Sequence, residues 1–189
     1  MPLPHSTALY VPRGRGTIYI AAWAGLVAPS ESALTEIGNC PSFEIEPVQE
    51  RAPHYSSRTG LRLRDLNPVI STEYNFNFTC DELAAQNFAK FFLGTYVAAS
   101  ASVLALQNVD AEYYIKFVSD NPIGPQYEIR LWRTTIGPNG PLAIIGDDYL
   151  VMDFAGEGLA DETNHATSPY FTLRYITTTT TSTTTTTTA

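Results

Sequence analysis

From Ser42 to Glu46 the chain alternates strictly, with Phe43 and Ile45 set against Glu44 and Glu46. Such period-two alternation predicts a strand with one face in a core and the other in water. Pro47 predicts the end of that strand or an edge position. The pattern returns over VISTEYNFNFTC (69–80): Tyr74, Phe76 and Phe78 fall on one face, and Glu73, Asn75, Asn77 and Thr79 on the other. The two strands flank a polar, Gly-containing stretch, 48–67, and together read as one long hairpin with an extended tip. A connection of about twenty residues is unusual in a compact domain and is usually functional.

The period then changes. In TCDELAAQNFAKFFLG, Ala84, Phe88, Phe91 and Phe92 recur at spacings of three and four, the stripe of a buried helix face. Thr79 with Glu82 predicts a capping box, Asp81 and Glu82 suit the first turn, and Gly94 reads as the residue that ends the helix. Further strands are predicted over 17–23, 111–119, 126–136, 149–156 and 169–176, with NPIGP and GPNGP as turns between them. The expected architecture is mainly β: a β-sandwich or barrel of about seven strands, one packed α-helix and a long hairpin loop. One domain covers 1–176. The Thr-rich end, 177–189, is a low-complexity tail by composition, although Thr is also a good strand former and a glycosylated stalk has this composition too.

Composition fits a single folded domain. The chain has 189 residues, 44% apolar and only 16% charged, so its body is not a disordered polyelectrolyte. A net charge of −8 argues against a general nucleic-acid binder, which carries a basic face. The charge is uneven. From Thr134 to Thr172 the chain carries Asp147, Asp148, Asp153, Glu157, Asp161 and Glu162 and no Lys or Arg, whereas HYSSRTGLRLRD (54–65) holds His54, Arg58, Arg62 and Arg64, with Arg51 just before it. RGRGTIYIAAWAGLVAPS imitates a signal peptide but starts at residue 13 and reads well as a turn and strand, so the chain is read as leaderless and soluble. Cys40 and Cys80 adjoin apolar runs at no metal-binding spacing and are expected to be buried free thiols.

The residues offer no catalytic constellation. His5, His54 and His165 stand at no metal-ligand spacing, and His5 and His165 read as solvated loop residues. Asp147 and Asp148 could begin a hard-cation site with Asp153, but an apolar strand follows instead of an oxygen-rich loop. Asn77-Phe78-Thr79 is a formal glycosylation sequon set in a strand. Trp23 and Trp132 read as packing residues on strands. No cofactor or metal is expected.

An order of features nevertheless emerges: an N-terminal Gly-x-Gly turn and strand, IGNCPSFEIE (37–46), a long loop with SSRTG (56–60), an alternating Tyr/Phe strand, and the helix DELAAQNFAKFFLG (81–94). In this order, over about residues 8–176, the chain resembles the major tail tube protein of long-tailed bacteriophages. The resemblance implies a non-enzymatic virion protein whose copies form six-membered rings that stack into a tube for DNA delivery. It implies tape-measure, tail-terminator and distal-tail proteins as partners, no membrane, and residence in the virion tail after assembly in the host cytoplasm. It also implies that the long loop reaches towards an adjacent ring.

On that reading the wet face formed by Glu44, Glu46, Glu73, Asn75 and Asn77 lines the lumen, because a DNA conduit should repel phosphate rather than hold it. Arg51, His54, Arg58, Arg62 and Arg64 form the inter-ring contact, with Asp147, Asp148, Glu157, Asp161 and Glu162 as its candidate acidic partners. The alternatives are plain solvent exposure of the polar face and an internal salt-bridged loop. Two other functions remain open at this point: another virion ring component of the head or baseplate, and a secreted carbohydrate-binding β-sandwich.

Overall fold

The computed structural model describes residues 14–25, 27–57, 60–121 and 125–176. The Thr-rich segment, His5 and Arg58 lie outside them. The strands are β1 (Gly16–Ala22), β2 (Thr35–Glu36), β3 (Ser42–Arg51), β4 (His54–Ser56), β5 (Leu63–Leu66), β6 (Val69–Cys80), β7 (Thr95–Val97), β8 (Ser102–Leu104), β9 (Glu112–Ser119), β10 (Gln126–Pro138), β11 (Met152–Leu159) and β12 (Phe171–Ile176). The described α-helix, α1, spans Ala85–Phe91.

The main sheet runs β2-β1-β9-β10-β11-β6-β3, with β12 also paired to β10. All its pairings are antiparallel. β10 governs its shape. β9 holds one edge of β10 from Glu128 to Thr135, so β12 (opposite Gln126 to Leu131) and β11 (opposite Arg133 to Pro138) must share the other edge. The irregularity between Leu131 and Thr134 marks the changeover, as a bulge increases local twist. The sheet therefore curls over itself. Phe43 on β3 meets Phe117 on β9 with ring centroids 5.6 Å apart, although three strands separate them in the sheet order.

The inward face is aromatic and aliphatic. Ile18, Ile20, Tyr74, Phe76, Phe78, Ile115, Leu131, Met152 and Phe154 are all buried. On β6 the burial follows the predicted alternation from Tyr74 to Cys80. Phe78 stacks on Phe154 at 4.7 Å, and Phe91 of α1 meets Phe154 edge-on at 5.6 Å. The mainly β architecture with a packed helix and a long hairpin is thus the one the alternation implies. Both cysteines are free, Cys80 buried and Cys40 half-buried. The neighbouring Cys80 thiol, together with burial, pushes the Cys40 thiol up.

Several local expectations are corrected. β3 does not stop at Pro47 but runs to Arg51, with Pro47 opposite Tyr74. β3 ends the sheet order, so its outer edge carries no strand among the described residues, and proline's missing N–H is tolerated there. The helix does not begin at a Thr79 capping box. Thr79 and Cys80 stay in the ladder opposite Asp153 and Met152, and Ala84 is the N-cap, with no side-chain cap. The polar work at this junction falls to buried Asn87, whose Nδ2 donates to the carbonyls of Ile37 (2.7 Å) and Glu82 (3.0 Å).

At the other end, Leu93 and not Gly94 takes the left-handed conformation (φ 47°). Gly94 is needed for a different reason: a Cβ there would run into the Leu104 carbonyl. The strand predicted over 149–156 begins only at Met152 and extends to Leu159. No described helix is long and apolar enough to cross a membrane.

Candidate functional site

The sheet register turns the alternating strands into polar rows on the outward face. Glu46, Asn75 and Glu157 lie side by side across β3, β6 and β11, and Thr135 of β10 and Glu112 of β9 continue the row. A second row places Glu44 beside Asn77 and then Ala155. A third joins Ser42, Thr79 and Asp153 by side-chain hydrogen bonds, Ser42 Oγ to Thr79 Oγ1 at 3.0 Å and Thr79 Oγ1 to Asp153 Oδ1 at 2.8 Å. Glu73 lies opposite Val48 one step towards the hairpin tip.

The charge of this face is one-sided. Among the described residues Glu44, Glu46, Glu73 and Glu157 form no ion pair, and the first compensated carboxylate is Glu112, held by Arg133 at 2.6 Å. An open groove on this face is lined by Glu46, Asn75, Asn77, Glu157, Leu93 and Val109. Glu157, expected among the partners of the basic loop, belongs to this face instead. Its period-two position opposite Asn75 was available in the sequence only once β11 was known to extend past Gly156.

The basic loop is an arm. Beyond Arg51 and Val69 the hairpin continues as a separate two-stranded ribbon, β4 with β5. Tyr55 organises its charge: the Arg62 and Arg64 guanidinium groups lie 5.4 and 5.8 Å from its ring centroid. Such stacking is electrostatic attraction to the ring face. His54 Nδ1 sits 2.6 Å from Asp65 Oδ1, and that bond lowers the Asp65 pKa. Arg51 is turned back on its own hairpin, donating to the Asn67 carbonyl (3.3 Å) and to Gln49 Oε1 (3.0 Å). Arg62 and Arg64 form no ion pair among the described residues. Leu61, Leu63, Leu66 and Ile70 are exposed beside them.

The remaining acidic residues separate into two places. Asp147 and Asp148 are exposed on the loop between β10 and β11. Asp161 is buried, its carboxylate taken up by Asn164 and by His165 Nδ1 at 2.8 Å. His165 is therefore not the solvated residue that its context suggests: its ring stacks on Trp132. Neighbouring Glu162 is exposed. Among the described residues no group of three His, Cys, Asp or Glu is arranged to hold a metal ion.

A second charged cluster escaped the sequence reading. Glu128 is buried on β10, with Arg130 at 2.5 Å, Arg174 at 3.1 Å and Lys116 at 3.5 Å. Glu128 and Arg130 are two apart on one strand, and Lys116 is directly opposite Arg130 on β9. Glu128 and Arg130 share a face by period two, but only the pairing register brings Lys116 and Arg174 to them.

Residues 12–104 match the model of a family described as a protein of unknown function, UCP028589. The match spans β1 to β8 and so includes the hairpin, its arm and α1. No curated protein matches the chain.

Proposed function

We propose that this chain is a structural virion protein without enzymatic activity, a subunit whose copies close into six-membered rings and stack into a phage tail tube. The reading continues the resemblance in sequence. One observation carries it: the outward face of β3, β6 and β11 presents carboxylates and amides in register, with no cation among them. Repeated around a ring, Glu44, Glu46, Glu73 and Glu157 make a wall that repels phosphate. DNA then passes without the backbone contacts that dominate protein–DNA affinity and would stall it.

The edges of the sheet support the same reading. Among the described residues, β3 leaves a ten-residue edge unpaired at one end of the sheet order. Exposed edges invite pairing with another chain, and a closed ring removes them. Tape-measure, terminator and distal-tail proteins are the partners this role implies, in the virion tail.

Negative-stain micrographs of the concentrated protein test the proposal. Rings and stacked tubes are the expected result. Rings that never stack favour a head or baseplate ring component. A protein that stays monomeric at all concentrations overturns the proposal.

A further inference from the structure

The loop joining β10 to β11 keeps its large apolar side chains in water. From Ala143 to Tyr149 every residue is exposed, with Ile144 at 72%, Ile145 at 96% and Tyr149 at 98%. Leu142 alone in this part of the loop packs against the core. Single exposed apolar residues are ordinary, but a contiguous cluster marks an interaction surface. Asp147 and Asp148 stand within the cluster.

The arm presents the complementary composition. Leu61, Leu63 and Leu66 are exposed, interleaved with Arg62 and Arg64, which are oriented over Tyr55. The two surfaces lie at opposite ends of one strand. The arm leaves β6 at Val69, whereas the loop rejoins the sheet at Met152, opposite Cys80. At about 3.3 Å per residue those ends of β6 are roughly 35 Å apart. The arm projects away from its own loop and cannot reach it without unzipping β3 from β6. The other acidic candidates fit less well. Asp161 is already bonded, and Glu157 lies on the sheet face. Glu162 belongs to the loop whose Tyr170 hydroxyl donates to the Thr72 carbonyl, nearer the arm's own end of β6.

We propose that the Ile144–Tyr149 loop is the receptor for the arm of a second copy of this chain. The arm's leucines pack on Ile144, Ile145 and Tyr149, and Arg62 and Arg64 meet Asp147 and Asp148. The contact is heterologous: one surface of a copy meets a different surface of the next, so it propagates along an axis instead of closing a pair. Apolar burial supplies affinity, and the matched charges fix orientation and suppress other partners. The inference rests on the stacked-copy reading above and specifies the surface that makes the stack.

Charge exchange tests it. Arg62→Glu with Arg64→Glu, and separately Asp147→Lys with Asp148→Lys, are expected to give rings that no longer stack. All four substitutions in one chain restore stacking. Ile145→Asp with Tyr149→Asp abolishes stacking without changing the thermal midpoint of the subunit. Stacks of wild-type length from this last variant overturn the receptor while leaving the tube reading intact. Failure of the fourfold exchange to restore stacking overturns the charge pairing. A wild-type chain that never stacks overturns both readings.

A second measurement is independent of stack length. Leu63→Cys with Ile145→Cys, oxidised in assembled samples, is expected to give a ladder of cross-linked chains. A cross-link confined to single chains assigns the loop to its own arm and overturns the proposal.

Discussion

The indole of Trp132 and the imidazole of His165 lie face to face, with ring centroids 3.7 Å apart and planes 7° from parallel. The stack closes the 160–170 loop over β10. Trp132 Nε1 donates to the Ser168 carbonyl at 2.9 Å, and Asp161 binds His165 at its ring edge through Nδ1. Burial opposes ionisation of Asp161, but the hydrogen bonds from His165 and Asn164 outweigh it and hold its carboxyl below the ordinary carboxylate range. A carboxyl with a depressed folded-state pKa stabilises the fold above its unfolded value, about 3.9 for Asp, and loses that contribution as pH falls through the folded value. Asp161→Asn is expected to cost about 1–3 kcal/mol at pH 7, because both carboxylate oxygens accept here and the amide replaces one of them with an NH2 donor facing Asn164 or His165. The difference from wild type narrows below about pH 4. Urea titrations of both proteins across that range check this, and a difference that stays constant down to pH 3 counts against it.

The Glu128 cluster makes a larger claim on stability. Burial raises the cost of its charge, yet Arg130 foremost, then Lys116 and Arg174, hold its pKa below the ordinary value. Loss of the carboxylate leaves Arg130 with Glu31 only at 3.9 Å, whereas Lys116 keeps Glu31 at 2.8 Å, so the cost of about 3–5 kcal/mol typical of breaking a buried pair is the upper bound here. Glu128→Gln is expected to lose up to that much in denaturant midpoint measurements. Arg174→Ala should cost less than about 1 kcal/mol, because its side chain is largely exposed and screened. Equal losses from the two variants would place the stability elsewhere.

Gly158 is silent in the sequence and constrained in the fold. On β11 its missing side chain leaves room for the ring of buried Tyr74, which a Cβ would overlap. Gly158→Ala is expected to destabilise by about 1–3 kcal/mol, the usual cost of overpacking. In a double-mutant cycle with Tyr74→Ala the cost of the added methyl should vanish, since the ring it strikes is gone. A thermal midpoint unchanged by Gly158→Ala alone would contradict the packing.

How far the sequence speaks for the fold depends on which residues carry the signal. Phe43/Ile45 and Tyr74/Phe76/Phe78 announced their strands and faces, because a half-buried strand writes its environment with period two. The helix was legible as a Phe-rich stripe, but its start was not. Thr79 and Glu82 satisfy a local capping rule, and the ladder to Asp153 and Met152 outcompetes it. His165 looked solvated because nothing nearby in sequence names Trp132 as its partner. Glu157 looked like part of an acidic run, and only the register with Asn75 moves it to the polar face. What stayed hidden is in each case a non-local pairing.

The polar face gives the most direct test of a conduit. Glu44, Glu46 and Glu157 are outward-facing and form no ion pair among the described residues, so replacing them by Lys breaks no ion pair. Surface changes of this kind usually alter stability by less than about 0.5 kcal/mol, and the variant subunit is expected to fold and to form tubes. Its lumen, however, would carry three reversed charges per subunit around every ring. Phosphate contacts release condensed counterions, so any binding they produce must weaken steeply as salt rises. The variant tubes are therefore expected to retain DNA at low ionic strength and release it at high, and to slow DNA ejection, whereas wild-type tubes do neither. Retention assays at two salt concentrations separate this from a general loss of assembly. Variant tubes that pass DNA as wild type does would mean that the rows of Glu44 and Glu46 face the outside of the tube.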